Sequence, residues 1–263
     1  MWCDIDAIRN ALLGLKEPSL WFDSLLESGG LSDAYPEAVV LANIPQDPRH
    51  HPEGNVYIHT MMVVDYAALV RDQAVRPLPF MLSALCHDLG KAVTTQAGDD
   101  GRIHAYGHEE VGIAIAGEML KRIGMDDDTV KYVENMVRLH MQPNRKYGSG
   151  SKVKSTNRMF DEAVCPEDLL LLAEADHFGR LAPPPYDECW TWLRDRLELY
   201  HKTMAKPYVT ETDLIGYGAE PGSELEELLA YTHKLRVSGN TKESVEKAAK
   251  AVLRKKHRFA GYQ

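Results

Sequence analysis

The chain reads as an all-α protein. Apolar residues recur at intervals of three and four along most of its length, which is the spacing of one helical face. No segment alternates apolar and polar residues as a half-buried strand would. Prolines and acidic residues fall where such segments begin and glycines where they stop, the asymmetry that helix ends require.

In order along the chain, a short helical segment occupies residues 1–35. In 56–70, Val56, His59, Met62, Val63, Tyr66, Ala67 and Val70 keep the helical period, which predicts a helix with His59 on its buried side. Residues 77–86 predict a short buried helix with Pro77 and Pro79 in its first turn, where a missing N–H costs little. It is expected to end at His87-Asp88-Leu89-Gly90, with Gly90 as its C-cap. Further helices are predicted at 108–123, 127–141, 156–164, 167–179 and 187–204. Gly124 and Asp126-Asp127-Asp128 mark one stop and the next start, and Pro183-Pro184-Pro185 is a rigid connector. Thr210-Glu211-Thr212-Asp213 resembles a capping box, and helices at 222–235 and 241–256 follow. Residues 94–107 and 142–158 are predicted loops. The second carries Arg145, Lys146, Lys152, Lys154 and Arg158 with no acid; it is either a solvated loop or a grip for phosphate.

The chain has 263 residues, 44% hydrophobic and 26% charged, which excludes wholesale disorder. Thirty basic against 39 acidic residues give a net charge of −9, so the chain as a whole is not a bulk nucleic-acid binder. Cys3, Cys86, Cys165 and Cys189 lie far apart with no CxxC pair, which fits a reducing compartment rather than a zinc ribbon or disulfide framework. There is no signal-peptide pattern at the start and no apolar run of membrane-spanning length. A cytoplasmic location is expected.

The chemistry lies in histidines and aspartates. His59, His87, His108 and His140, with His104 in a loop, fall where they can converge. Asp88 follows His87, and Asp176 sits in the apolar run Leu-Leu-Leu-Leu-Ala-Glu-Ala-Asp. A carboxylate in such a run is costly to bury unless it is paired or binds a metal. Neutral imidazole and carboxylate donors suit divalent manganese, iron, cobalt, nickel or zinc. Asp4 and Asp6 have a paired-aspartate spacing, but no strand or glycine-rich loop precedes them.

The order His, His-Asp, His, His, Asp, with the text Leu85-Cys86-His87-Asp88-Leu89-Gly90-Lys91, resembles the HD superfamily of metal-dependent phosphohydrolases. The stretches Leu41–Gln46, His51-Pro52-Glu53-Gly54, His59-Thr60, Tyr106-Gly107-His108-Glu109, Ala175–Arg180 and Val209–Ile215 resemble the C-terminal, HD-bearing part of bacterial CCA-adding enzymes (tRNA nucleotidyltransferases). That resemblance runs from about Ile8 to Leu253. The glycine-rich loop and paired-aspartate motif of that family's nucleotidyltransferase head do not occur here, so nucleotide addition to tRNA is not expected.

The resemblance implies an HD helical bundle over 36–205, with the 1–35 segment before it and a helical tail at 206–263. It implies metal ligation by His59, His87, Asp88, His108, His140 and Asp176, with Asp88 bridging where two ions bind; His104 is the alternative to His108. Two ions would give a centre of net positive charge that attracts a phosphate ester and activates water as hydroxide. Asp88, Lys91 and Arg180 are the expected catalytic residues, and Lys91, Arg145, Lys146 and Arg180 the expected substrate contacts. Lys91 also reads as an ordinary lysine at a helix end, and Arg180, four residues after Asp176, as its neighbour's ion-pair partner. Lys152 and Lys154 would join Arg145 and Lys146 in a lid over a nucleotide. His51 and Glu53 would cap the His59 helix or support its ligand. His177 points about 100° away from Asp176 and is not an expected ligand.

The implied activity is phosphodiesterase, nucleotidase or phosphatase action on nucleotides or RNA ends, such as 2′,3′-cyclic nucleotides. Two alternatives remain. One is a di-iron oxygenase with the same six ligands. The other is an RNA-binding or regulatory module with a structural metal, using 142–158 and the basic run Arg254–Arg258.

Overall fold

The computed structural model describes residues 5–260, with side chains as far as Lys255. Its helices are α1 (Ile5–Gly14), α2 (Ser19–Ser28), α3 (Gly30–Ala34), α4 (Pro36–Val40), α5 (Val56–Val70), α6 (Pro77–Cys86), α7 (Lys91–Thr94), α8 (His108–Arg122) and α9 (Asp127–Leu139). They continue with α10 (Gln142–Gly148), α11 (Val153–Glu162), α12 (Pro166–Phe178), α13 (Asp187–Met204), α14 (Glu211–Gly216), α15 (Ser223–Val237) and α16 (Lys242–Ala260). A two-residue antiparallel ladder, β1 (Gln96–Ala97) against β2 (Ile103–His104), lies between α7 and α8. The protein is all-α. Contacts gather it into two compact units: Met1–Arg145 with Ala163–Thr191, and Lys146–Glu162 with Trp192–Gln263.

The first unit is organised by three helices that are apolar on nearly every side. Ten of the 15 residues of α5, eight of the 10 in α6 and nine of the 13 in α12 are buried, as a helix must be when it has no polar face. α6 packs against α5, α9, α12 and α1, and α8 lies along α9. Phe80, Leu82, Leu85, Val133 and Leu172 are among the fully buried residues, each stabilising the fold by about 1.5–3 kcal/mol relative to exposure. Asn55 caps α5 by accepting from Ile58 N at 2.9 Å, so neither His51 nor Glu53 is the cap. Asp126 caps α9 by accepting from Thr129 N at 2.8 Å.

Gly90 is not a left-handed C-cap. Its backbone is right-handed, at φ −63 and ψ −21. It is glycine because α8 passes so close that a Cβ there would lie 2.0 Å from the His108 carbonyl oxygen and 2.8 Å from Gly112 N. Gly179 likewise abuts α5, with a Cβ falling 2.6 Å from Val63 Cα. Both close approaches bring a histidine-bearing helix, α8 or α5, against its neighbour.

The second unit has its own core of Val209, Leu214, Leu225, Leu228, Val245, Ala249 and Leu253. Thr210 and Asp213 form the expected capping box at α14. The expected loop at 142–158 is instead mostly helical: α10 fills 142–148, and α11 begins at Val153, three residues before the helix expected at 156–164, with only 149–152 between them. Its basic residues mask Val153, Thr156, Asn157 and Phe160, whose spacing is helical; Thr156, Asn157 and Phe160 are buried, and Asn157 Nδ2 donates to the Val237 carbonyl at 3.2 Å. The 94–107 segment also departs from a plain loop, because the β1–β2 ladder lies within it. No described helix is long and apolar enough to cross a membrane. Asp4 lies outside the described residues, as do the side chains of Lys256, His257 and Arg258 in the basic run; Asp6 is exposed and pairs with Arg9 at 3.3 Å.

Candidate metal centre

Six side chains from five segments of the first unit meet in its interior. His59 comes from α5, His87 and Asp88 from the turn after α6, His108 from the start of α8, His140 from the end of α9 and Asp176 from α12. All six are buried, with His59, His87 and His140 at 0% exposure.

Each imidazole is oriented by its Nδ1. His87 Nδ1 donates to the Ala84 carbonyl at 2.8 Å, His108 Nδ1 to Ala105 at 2.8 Å and His140 Nδ1 to Val137 at 2.7 Å. His59 Nδ1 donates to the Gly179 carbonyl at 2.9 Å and lies 3.1 Å from Glu53 Oε1. A carbonyl oxygen can only accept, so these bonds hold the proton on Nδ1 and leave Nε2 with a bare lone pair. The four Nε2 atoms point inward. His59 Nε2 and His87 Nε2 are 3.4 Å apart, and His108 Nε2 and His140 Nε2 are 3.2 Å apart. Lone pairs facing at that distance form no hydrogen bond and repel.

Asp88 stands between the two pairs. Its Oδ2 lies 3.3 Å from His87 Nε2 and 3.6 Å from His59 Nε2. Its Oδ1 lies 3.3 Å from His108 Nε2 and 3.9 Å from His140 Nε2. Asp176 Oδ1 completes the first group, 3.1 Å from His59 Nε2. Two sets of donors result, His59–His87–Asp176 and Asp88–His108–His140, with the donor atoms of each within 4.8 Å of one another. Either set can hold a metal ion. Asp88 Oδ2 is buried with no aligned hydrogen-bond donor, although Lys91 Nζ pairs with it at 2.6 Å; the ammonium supplies charge without hydrogen-bond geometry. Convergent imidazole nitrogens around a buried carboxylate fit a divalent cation.

The electrostatics agree. Burial opposes the charge on Asp88, but Lys91 and His87 outweigh it and hold the carboxyl well below its ordinary range. Burial likewise opposes Asp176, and Arg180 and His59 overcome it. Burial, with His87 and His108 nearby, lowers His140 to about 3, so it is neutral and free to donate its lone pair. His59 departs from this: burial disfavours its charge, but bonds to Asp176 and Glu53 prevail and raise it, which favours a proton on Nε2 that a metal ion would displace. Glu53 sits at about 2, because its bonds to His59 and His51 exceed the penalty of burial.

The centre opens on a cleft of about 300 Å³ lined by Asp88, His108 and Asp176, by Lys91, Arg145 and Arg180, and by His51, His104 and Tyr106 among others. Lys91 Nζ also donates to Gln46 Oε1 at 2.8 Å. Arg180 turns back on its own helix, with Nε 3.0 Å from the Asp176 carbonyl and Nη2 3.2 Å from Asp176 Oδ1. Arg145 lines the cleft but is paired with Glu109. Lys146, Lys152 and Lys154 belong to the second unit. His104 lies on the rim with Nε2 on Asp100 at 3.1 Å, whereas His108 faces Asp88. His177 donates to the Pro184 carbonyl at 2.8 Å, away from the donor sets. Glu53 accepts from His51 Nδ1 at 2.9 Å and faces His59 Nδ1, so it orients a ring rather than starting a helix. Sequence reasoning missed Glu109 as the partner of Arg145 and Tyr106 as a rim residue. Both had a signal, since the stretch Tyr106-Gly107-His108-Glu109 carries the family resemblance, but nothing in it assigned either residue a partner or a place.

Comparison with known proteins finds a matching family over this part of the chain. The HD domain family matches residues 56–181, a range that encloses all six converging side chains. A multifunctional CCA protein of Cupriavidus metallidurans is 31% identical over 234 residues, 86% of this chain and 52% of that protein. One from Actinobacillus pleuropneumoniae is 32% identical over 168 residues, 62% of this chain and 40% of that protein. One from Mannheimia succiniciproducens is 37% identical over 170 residues, 63% of this chain and 40% of that protein. The chain thus spans about half the length, or less, of these relatives. Residues 56–181 match the HD domain family, of a superfamily of metal-dependent phosphohydrolases, and the similarity to the CCA proteins extends beyond that range.

Proposed function

We propose that this protein is a metal-dependent phosphohydrolase acting on nucleotides or RNA ends, with 2′,3′-cyclic nucleotides as the test substrates. The observation that carries the reading is Asp88, whose two carboxylate oxygens face separate pairs of inward lone pairs at the floor of a cleft lined by three cationic side chains. The relation to CCA proteins supports RNA ends as a substrate class.

In this reading His59, His87 and Asp176 hold one divalent ion of manganese, iron, cobalt, nickel or zinc, and His108 and His140 a second, with Asp88 shared. Such an ion supplies Lewis acidity and lowers the pKa of water toward roughly 7. The chain's own residues do the rest. Glu53 and the backbone carbonyls on Nδ1 keep the imidazole lone pairs aimed inward. Lys91 and Arg180 offset the phosphate's charge, and Arg145 reaches it by leaving Glu109.

The test is metal analysis of the purified protein together with hydrolysis of 2′,3′-cyclic nucleotides and an aryl phosphate, beside Asp88→Ala. About two equivalents of metal and turnover that Asp88→Ala abolishes support the binuclear hydrolase. One equivalent with the same turnover makes His108 and His140 substrate contacts. Oxygen consumption with reduced iron and no hydrolysis, or salt-sensitive RNA binding without turnover, overturns the reading.

A further inference from the structure

The rim of the cleft carries an aromatic arrangement that metal chemistry does not require. Tyr106 is 74% exposed, yet it lines the same cleft as Asp88, Lys91 and Arg180. One face of its ring is covered by His104, with centroids 4.9 Å apart and planes 13° from parallel. His104 is itself held in place. It pairs with Gln96 in the β1–β2 ladder, and its Nε2 lies 3.1 and 3.2 Å from the two carboxylate oxygens of Asp100. The turn beneath is tight, since a Cβ on Gly98 would meet Asp100 Oδ1 at 2.7 Å and His104 Cδ2 at 2.8 Å. The hairpin thus fixes His104, and His104 backs Tyr106. The opposite face of Tyr106 is left open to solvent.

We propose that the open face of Tyr106, backed by His104, is a stacking platform for the nucleobase of a substrate whose phosphate lies at the Asp88 centre. The inference rests on the phosphohydrolase reading and deepens it: the cleft selects phosphate esters that bear a base over simple phosphates. A flat ring anchored from behind presents its π-face with little entropy left to lose. Base–aromatic stacking tolerates any base, because every base has a π-face. The platform therefore adds affinity for nucleotides as a class and does not choose among them. The cations supply the phosphate end and Tyr106 the base end of one ligand.

The test is equilibrium binding of two slowly hydrolysed ligands to the metal-loaded protein: adenosine 5′-phosphorothioate, and ribose 5-phosphorothioate, which lacks the base. Wild type, Tyr106→Ala and Tyr106→Phe are compared. Tyr106 is exposed, so neither substitution disturbs the core, and circular dichroism checks this. Wild type is expected to hold the adenosine ligand roughly tenfold or more tighter than the ribose ligand. Tyr106→Ala removes that preference while its affinity for the ribose ligand stays the same, and Tyr106→Phe keeps the preference. Equal affinity of wild type for both ligands, or a loss in Tyr106→Ala that is the same for both, overturns the platform and leaves the phosphohydrolase reading standing. Failure of both ligands to bind overturns the platform and the phosphohydrolase reading together.

Discussion

Gly90→Ala tests whether close backbone packing sets the geometry of the centre. An added Cβ would lie 2.0 Å from the His108 carbonyl oxygen, and that oxygen must retreat by about 1 Å to reach the shortest contact real side chains make, near 3.0 Å. The atom that moves belongs to the residue whose Nε2 stands 3.3 Å from Asp88 Oδ1. Metal–ligand distances tolerate only about 0.2 Å, so a shift of this size breaks the Asp88–His108–His140 set. In the His59–His87–Asp176 set only His87 shares the turn that holds Gly90, while His59 on α5 and Asp176 on α12 stand outside the clash. Overpacking of this kind costs about 1–3 kcal/mol of stability. On the two-ion reading proposed above, the variant should therefore lose one of two metal equivalents, or bind the second at least about tenfold more weakly, and unfold at lower denaturant. Equilibrium dialysis with elemental analysis reads the first effect, and guanidinium unfolding of the metal-free protein reads the second. Unchanged metal content with stability within about 0.5 kcal/mol of wild type would refute the reasoning.

Two further predictions concern the scaffold. Tyr132 donates its hydroxyl to Asp168, which is 0% exposed and also accepts from Val75 N at 2.7 Å and Arg76 N at 3.0 Å; Tyr132→Phe should cost about 1.5–3 kcal/mol in urea unfolding, and a loss below about 0.5 kcal/mol would contradict that role. The bonds from the Thr129 backbone N–H and hydroxyl hold the Asp126 carboxyl below its ordinary range. A lowered folded pKa means stabilisation that is complete above the unfolded value, about 3.9, and lost as pH falls through the lower folded value. Asp126→Asn keeps a capping side chain that does not titrate, so it should lose less stability than wild type between pH 7 and pH 3. Equal losses would show that the cap has no part in the acid response.

Much of the first unit was legible because its helices carry their own instructions. The apolar period of 56–70 and the prolines opening 77–86 need no distant partner to be read, and α5 and α6 occupy those ranges. His59 falls on the inner face by spacing alone, and it is fully buried. The 142–158 segment was misread because charge was weighted over period. Its Thr156 and Asn157 are buried in the second unit, and burial of that face outweighs the polar composition.

Sequence alone determined the helical class, the order of histidines and aspartates, and the resemblance to HD proteins, because all three are written in residue identity and local spacing. Only the tertiary structure decided which nitrogen of each imidazole faces inward. That choice depends on carbonyls such as Gly179's, which comes from a helix 120 residues away from His59 in sequence. Only the fold paired Arg145 with Glu109, set His104 behind Tyr106, and made Gly90 a contact rather than a cap. Each is a meeting of groups distant in the chain or set by packing, and its energy exists only once the backbone has brought them within a few ångströms.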